Sequence, residues 1–469
     1  MPPLHVEVDR GDKTPLTTQI YRGLRSAIES GQLPSGTRLP SWRDLAAQLG
    51  VSRGTVRVAY ERLMDEQFAI GMGPAGTRVA ERPAGSSRLD QAPEAIPLPQ
   101  LFHDFGTSPL TFQMGVPSQS AFPFKLWSRV LTQASRQVAA APVSYPDPRG
   151  DPELRKEIAA YLAIARGIHC EPSQLLITGG FSGALGVATG ALQLQGKEAW
   201  IEDPGFPLTR TALRLAGMNV TGVRVDDEGL DISAGERSAP AAALVVVTPG
   251  QHAPLGMTMS LPRRLALLAW ARRTGAWIIE DDYLSELQLH GRAAPALASL
   301  DQERRVLHIG SFSKTISPSL RLGFLVVPPA LVRRCGEFAA CLAPAPSATV
   351  QRAVAEFLRQ GHYLRHLRRM KALYRAQRES LLRCLQDMSS DVIKPAATAG
   401  LAVVTSLAAS ASDVDIALRA LPFGLAPTPL SPWSMHAPPR RGLLLGVTNI
   451  DERRLAADCH RLAELATRG

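Results

Sequence analysis

A lysine set among hydroxyls, Ser311-Phe312-Ser313-Lys314, stands seven residues before Arg321. Such an amine can hold an aldehyde as a Schiff base. Neighbouring hydroxyls and a guanidinium can hold an anionic group on the same molecule. Taken alone, S-x-S-K is common on polar loops. Upstream, Glu280-Asp281-Asp282-Tyr283 closes the apolar run Ala276-Trp277-Ile278-Ile279, as at the end of a buried strand. An electrophile-binding lysine and a polar cluster at a strand end together describe a cofactor site, provided the elements between them fold as alternating strands and helices.

The pattern supplies those elements. From about residue 104, apolar strand-like runs (Gln174–Thr178, Ala199–Ile201, Ala242–Thr248, Ala276–Ile279, Val306–Ile309, Gly323–Val327) alternate with helical stretches such as Pro262–Arg273. This predicts an α/β layer architecture over 104–469. Residues 81–103, rich in Pro, Ala, Ser and Gln and lacking sustained periodicity, read as a linker.

The first eighty residues have another plan. Ile20, Leu24 and Ile28 mark one face of a helix that Gly31 ends. Ser41 is placed to cap a short helix, Trp42 to Gln48, and Ser52 a second, Arg53 to Met64, with Val56, Ala59, Tyr60 and Leu63 inward. Phe68-Ala69-Ile70 and Thr77-Arg78-Val79 flank a Gly/Pro hairpin, Gly71 to Gly76. The expectation is an α+β winged helix-turn-helix over 1–80. Ser52, Arg53, Thr55 and Arg57 stand at the start of its second motif helix, and Arg43 comes from the preceding helix, where a DNA reader needs cations and hydroxyls.

Bulk numbers bound the rest. The 469 residues carry a net charge of +10, which favours an anionic partner without naming it. Residues 1–80 hold 10 Lys/Arg against 8 Asp/Glu, only +2, so placement rather than global charge must support DNA binding. Five cysteines, none in a C-x-x-C pair, argue against a disulfide framework or a zinc site and for a reducing cytoplasm. No metal, secretory signal or membrane span is expected. The basic stretch Arg352 to Arg383 reads as the solvated face of a long helix packed by Leu364, Leu367, Met370 and Tyr374, or as extra phosphate contact with DNA.

Residues 40–63, P-S-x-R-D-L-A-A-Q-L-G-V-S-R-x-T-V-R-x-A-Y-x-x-L, resemble the GntR-type winged helix. The resemblance implies operator contacts by Arg43, Arg53, Thr55 and Arg57. The larger part resembles fold-type I, class I aminotransferases, and the combination resembles the MocR subfamily of regulators. That resemblance implies pyridoxal 5'-phosphate as the cofactor, with Lys314 its Schiff-base lysine and Asp281 the carboxylate on the pyridinium nitrogen. It implies that Tyr283 bonds the ring oxygen and that Phe206 of E-D-P-G-F-P stacks on the ring. By the same resemblance, Gly180, Phe181 and Ser182 of I-T-G-G-F-S-G-A-L, with Ser311, Ser313 and Arg321, hold the phosphate. Tyr145 of Y-P-D-P-R-G matches a tyrosine that reaches the phosphate of a neighbouring subunit, which implies a homodimer that senses a small-molecule effector.

Departures from the family pattern bear on that effector. Ala253 stands in the place of an aminotransferase asparagine, beside Gln251 and His252. Leu444 in G-L-L-L-G-V stands where an arginine clamps a substrate carboxylate, and Val447 replaces an aromatic. Arg210, Arg440 and Arg441 are the nearby cations that could substitute. Two main readings remain: a regulator whose aminotransferase-like domain senses the cofactor or a small amine, or a working aminotransferase with an appended DNA-binding head. A third is a DNA-binding protein whose large domain is only a dimerisation scaffold.

Overall fold

A computed structural model describes residues 8–12, 14–80, 108–289, 291, 293–388, 393–408 and 411–467. The chain divides into two compact units, Met1–Ala95 and Ile96–Gly469. The stretch 81–103 read as a linker lies outside the described residues.

In the first unit, helices α1 (Leu16–Glu29), α2 (Trp42–Leu49) and α3 (Arg53–Asp65) precede strands β1 (Ala69–Gly71) and β2 (Thr77–Val79). Serine caps both helices where the sequence places it. Ser41 Oγ accepts the amide of Asp44, and Ser52 Oγ that of Thr55, satisfying donors that a first turn leaves open. Gly50 ends α2 at φ 63°, a conformation that costs glycine little. Ile20, Leu24, Leu45, Val56, Tyr60 and Leu63 pack into a buried core. β1 and β2 pair antiparallel, Ala69 opposite Val79. Three helices with a two-stranded wing form the expected winged helix-turn-helix.

The second unit contains strands β3 (Leu175–Thr178), β4 (Glu198–Asp203), β5 (Asn219–Asp226), β6 (Gly229–Leu230), β7 (Leu244–Val247), β8 (Trp277–Asp282), β9 (Val306–Ser311) and β10 (Gly323–Val326). They form one sheet in the order β3-β10-β9-β8-β7-β4-β5-β6. β5, β4, β7, β8 and β9 run parallel, while β10 runs antiparallel to both its neighbours. Its helices are α4 (Phe124–Ala140), α5 (Pro152–Arg166), α6 (Phe181–Leu192), α7 (Pro207–Leu215), α8 (Ile232–Ser238), α9 (Leu261–Thr274), α10 (Leu297–Leu300), α11 (Val332–Leu342), α12 (Ala348–Arg359), α13 (His362–Asp387), α14 (Asp413–Ala420) and α15 (Leu455–Thr467). A second, antiparallel sheet joins β11 (Ile393–Ala399), β12 (Ala402–Leu407), β14 (Gly442–Gly446) and β13 (Thr428–Pro429), in that order. Strands β3, β7 and β10 are buried along their whole length, which is why they read as continuous apolar runs.

Two details differ from expectation. The basic stretch Arg352–Arg383 is two helices, broken at Gly361 (φ 67°). Leu364 is 47% exposed and does not pack α13. Tyr363 and Leu367 take that role: the inward stripe runs 363, 367, 370, 374, and position 364 lies about 100° off it.

β9 and β10 fit tightly. A methyl on Gly310 would lie 2.1 Å from the Phe324 ring, inside a packed sheet. Gly310→Ala should therefore destabilise the unit by about 1–3 kcal/mol, read as a shifted midpoint in denaturant melts. An unchanged midpoint would mean that the ring can move aside.

Candidate functional site

The parallel strands all point their C-terminal ends to one edge of the sheet, the usual place for ligands in α/β folds. β9 ends at Ser311, and the connection to β10 carries Ser313, Lys314 and Arg321. Because β10 returns antiparallel, Gly323 pairs with both Ser311 and Thr178, so that connection sits beside the turn leaving β3. The fit needs glycine: a Cβ on Gly323 would come 2.9 Å from Gly180 Cα. Gly180, at φ 85°, opens α6 without a side-chain cap. The first-turn amides of Phe181 and Ser182 thus form the positive end of an uncapped helix. Ser311 Oγ accepts the Ser313 amide at 3.2 Å. Arg321 is exposed, with a left-handed backbone at φ 48°.

Lys314 Nζ donates to Gly115 O at 2.7 Å. Burial pushes its ammonium down to about 8, with Asp281 opposing. Burial, then Asp282 and Glu202, push the Asp281 carboxyl up to about 8, with Lys314 opposing. Burial and the Asp281 charge raise the Tyr283 phenol. Asp281 and Tyr283 stand at the end of β8 and Lys314 just beyond β9, and the Asp281 charge acts on both Lys314 and Tyr283. An amine with a lowered pKa is a nucleophile near neutrality, since the fraction unprotonated at pH 7 rises from roughly 0.1% or less to about 10%. Capture of a pyridoxal aldehyde by the cofactor-free protein should accordingly quicken about fivefold from pH 7 to pH 8 and flatten above that. A rate still climbing steeply at pH 10 would mean an ordinary lysine.

Phe206 precedes α7, with its ring 5.6 Å from that of Trp433 and tilted 41°. Sequence reasoning missed Trp433, because nothing local ties residue 433 to residue 206. The contact arises where the loop before β14 meets the end of β4. There the Asp203 carboxylate accepts the amides of Met435 (2.8 Å) and His436 (3.1 Å), and the Gly205 amide donates to Trp433 O at 3.0 Å. Also missed was the buried acid Glu202, which accepts the Thr248 hydroxyl at 2.6 Å and the Thr248 amide at 3.1 Å. Burial raises Glu202 to about 7, the Thr248 bonds opposing. His252 Nε2 lies 3.8 Å from it. Burial holds this imidazole neutral, down to about 3, and the Arg440 charge adds to the effect.

Among the three candidate cations, Arg440 thus acts on the site's field. Arg441 Nη1 points to Ala411 O, and Arg210 Nη2 to Pro432 O. Leu444 is fully buried in an apolar cluster with Ala253, Ala399, Val404, Leu430 and Trp433, against which Tyr283 packs. Tyr145 is fully exposed and does not approach the site of its own chain.

In the first unit Arg43, Arg53 and Arg57 are exposed. Arg57 Nε lies 3.5 Å from Glu61. The hydroxyls of Ser52 and Thr55 share a 2.8 Å hydrogen bond. No described cluster of His, Cys, Asp or Glu could hold a metal, and no described helix is long and apolar enough to cross a membrane.

The fold and the site define a regulator-like chimera: a DNA-binding head and an aminotransferase-like body. Residues 16–79 match the bacterial regulatory proteins of the gntR family, and residues 123–431 match aminotransferase class I and II. The chain belongs to the MocR-type family of GntR regulators and is a DNA-binding transcriptional regulator. It is 33% identical to the probable rhizopine catabolism regulatory protein MocR of Rhizobium meliloti, over 95% of this chain and 92% of that one. It is 34% identical to the transcriptional regulator TauR of Rhodobacter capsulatus, over 87% of each, and 30% identical to the pyridoxine biosynthesis regulator PdxR of Corynebacterium glutamicum, over 84% and 83%. An archaeal alanine:glyoxylate aminotransferase superposes with a TM-score of 0.71 at 24% identity, covering 77% of this chain and 92% of that one. The class I and II aminotransferase family is pyridoxal-phosphate-dependent.

Proposed function

We propose that the large unit binds pyridoxal 5'-phosphate and passes its state to the DNA-binding head. The observation that supports this most is the placement of Asp281 and Tyr283 at the end of β8 with Lys314 just beyond β9, its Nζ held 2.7 Å from Gly115 O and its charge acting on Asp281. The donor set suits the ligand: an amine for its aldehyde, an acid for its ring nitrogen, a phenol for its ring oxygen. Beside them stand an uncapped helix start with Gly180, Phe181 and Ser182, and Ser311, Ser313 and Arg321 for its phosphate. Phe206 would cover the ring. When bound, the cofactor supplies an electron sink and a reactive carbonyl. Lys314 anchors it, Asp281 keeps its ring nitrogen protonated, and Tyr283 orients the ring.

The exposed Tyr145 fits a role across a homodimer interface in the cytoplasm. In the head, Arg43, Arg53 and Arg57 would contact the operator, with Ser52 and Thr55 on phosphate or a thymine methyl.

The signal is the cofactor, or a small amine bound beside it, rather than an amino acid gripped by its carboxylate. A carboxylate set against Leu444, Ala253 and Val404 would lack the bidentate partner that a guanidinium provides, and burying it unpaired is costly. The relative named for pyridoxine biosynthesis agrees with a vitamin-linked signal. A panel of α- and ω-amino acids should leave operator affinity unchanged and give poor transaminase turnover. Brisk turnover with one of them would favour the working-aminotransferase reading instead.

A further inference from the structure

Three acids in succession, Glu280, Asp281 and Asp282, lie on the single buried strand β8. Strand alternation places Glu280 and Asp282 on one face and Asp281 on the other. Carboxylates this close, out of water, suppress one another's ionisation unless cations intervene. Two contact them directly, on the Glu280 face, and the buried Arg264 acts on both Glu280 and Asp282 through its charge. Arg166 Nε donates to Asp282 Oδ2 at 2.7 Å. His308, directly opposite Glu280 on β9, places Nδ1 2.9 Å from Glu280 Oε2 and Nε2 3.8 Å from Asp282 Oδ2. All four side chains are almost wholly buried. Glu280 also accepts the amides of Leu297 and Ala298, at 2.6 and 3.0 Å.

We infer that His308 is a positioning residue for the cofactor. Held as an imidazolium between Glu280 and Asp282, it offsets the two carboxylates that flank Asp281 and lowers the cost of the charge that Asp281 must carry to hold a protonated ring nitrogen. The inference rests on the proposal that the large unit binds pyridoxal phosphate. With His308 protonated, it and Arg166 contact the two carboxylates directly, and the Arg264 charge also acts on both. With His308 neutral, Arg166 and Arg264 remain, and more of the repulsion falls on Asp281. The other groups near His308 are the Glu286 carboxyl, which burial and then Asp282 raise to about 7, Asp281 on the far face, and the Phe324 ring at 6.2 Å.

The electrostatics run the same way from each partner. Burial works against the imidazolium, but Glu280 and then Asp282 raise His308 above the ordinary histidine value. Burial works against the Glu280 carboxylate, but His308 lowers it. Asp282 raises Asp281 and His308 lowers it. A raised histidine is charged below its folded pKa and loses the charge as pH climbs through it, so the His308 imidazolium persists to higher pH than that of an ordinary histidine.

The test uses the full chain. First, 15N NMR of histidine-labelled wild type, assigned by difference with His308→Asn, reads the ring nitrogens of His308. Both should stay protonated at pH 7, and a neutral ring there overturns the inference with or without cofactor. Second, both proteins are loaded with pyridoxal phosphate labelled with 15N at the ring nitrogen. The wild type should show a protonated ring nitrogen. In His308→Asn the protonated-to-neutral ratio should fall about tenfold or more, while a borohydride-trapped adduct at Lys314 still forms. A folded His308→Asn protein that keeps the wild-type ratio overturns the inference. If that variant does not fold, His308→Gln supplies the assignment, and the wild-type imidazolium measurement decides. A wild type that traps no adduct would instead sink the cofactor reading on which the inference stands, a result distinguishable from a neutral His308.

Discussion

Lys314→Ala should abolish the pyridoxal adduct that borohydride traps in the wild type. The loss is expected to be complete because, among the described residues, Lys314 is the lysine whose charge acts on Asp281 at the strand edge. Gly115 supports the same conclusion from the opposite side. Its carbonyl accepts the Lys314 ammonium, and a Cβ at that position would sit 2.5 Å from Nζ. The substitution is tolerable to the fold, since removing a lysine tip leaves a polar loop rather than an apolar void. An adduct that survives in Lys314→Ala, or maps to another lysine in the wild type, would defeat the assignment.

The second large effect concerns DNA. Arg53 and Arg57 begin α3, the recognition helix of the winged motif, and both are exposed. A single good base contact contributes about 1–3 kcal/mol of discrimination. The double substitution Arg53→Ala, Arg57→Ala should therefore weaken operator binding by about 2–6 kcal/mol if both read bases, about 30-fold or more. Arg57 already has a neighbour in Glu61, 3.5 Å away, so its share should be the smaller. Fluorescence anisotropy on a labelled operator at fixed salt measures the change. Affinity equal to wild type would remove α3 from the DNA interface.

Much of this was legible in the chain itself. Ser41 and Ser52 marked helix starts because a capping hydroxyl must sit next to the amides it satisfies, and both do so. β3, β4 and β7 to β10 announced themselves as apolar runs, whereas β12 and β14 of the second sheet, largely buried, were not singled out. Nor was β5, whose burial is patchy, with Asn219, Arg224 and Asp226 exposed. Lys314, Asp281 and Tyr283 lie near strand ends, where local pattern and position coincide. Glu202, Thr248 and Trp433 were not legible. Their roles depend on which strand ends neighbour one another, and the order β8-β7-β4 and the loop closing over Asp203 are set by packing rather than by spacing in the chain. Leu364 was misread for a simpler reason: at 100° per residue, one position decides whether a side chain faces the core, and Tyr363 holds that position.

The central claim, that cofactor occupancy at Lys314 is read by the DNA-binding head, has one most direct measurement. Operator affinity is compared for the same full-length protein freed of pyridoxal phosphate and then reloaded with it, alongside Lys314→Ala. A coupling of about 1–3 kcal/mol is typical of linked sites, so the wild-type affinity should change by about 5- to 150-fold on loading, while Lys314→Ala should not respond. Equal affinities of the cofactor-free and cofactor-loaded wild type, with a clear response to one amino acid, would contradict it.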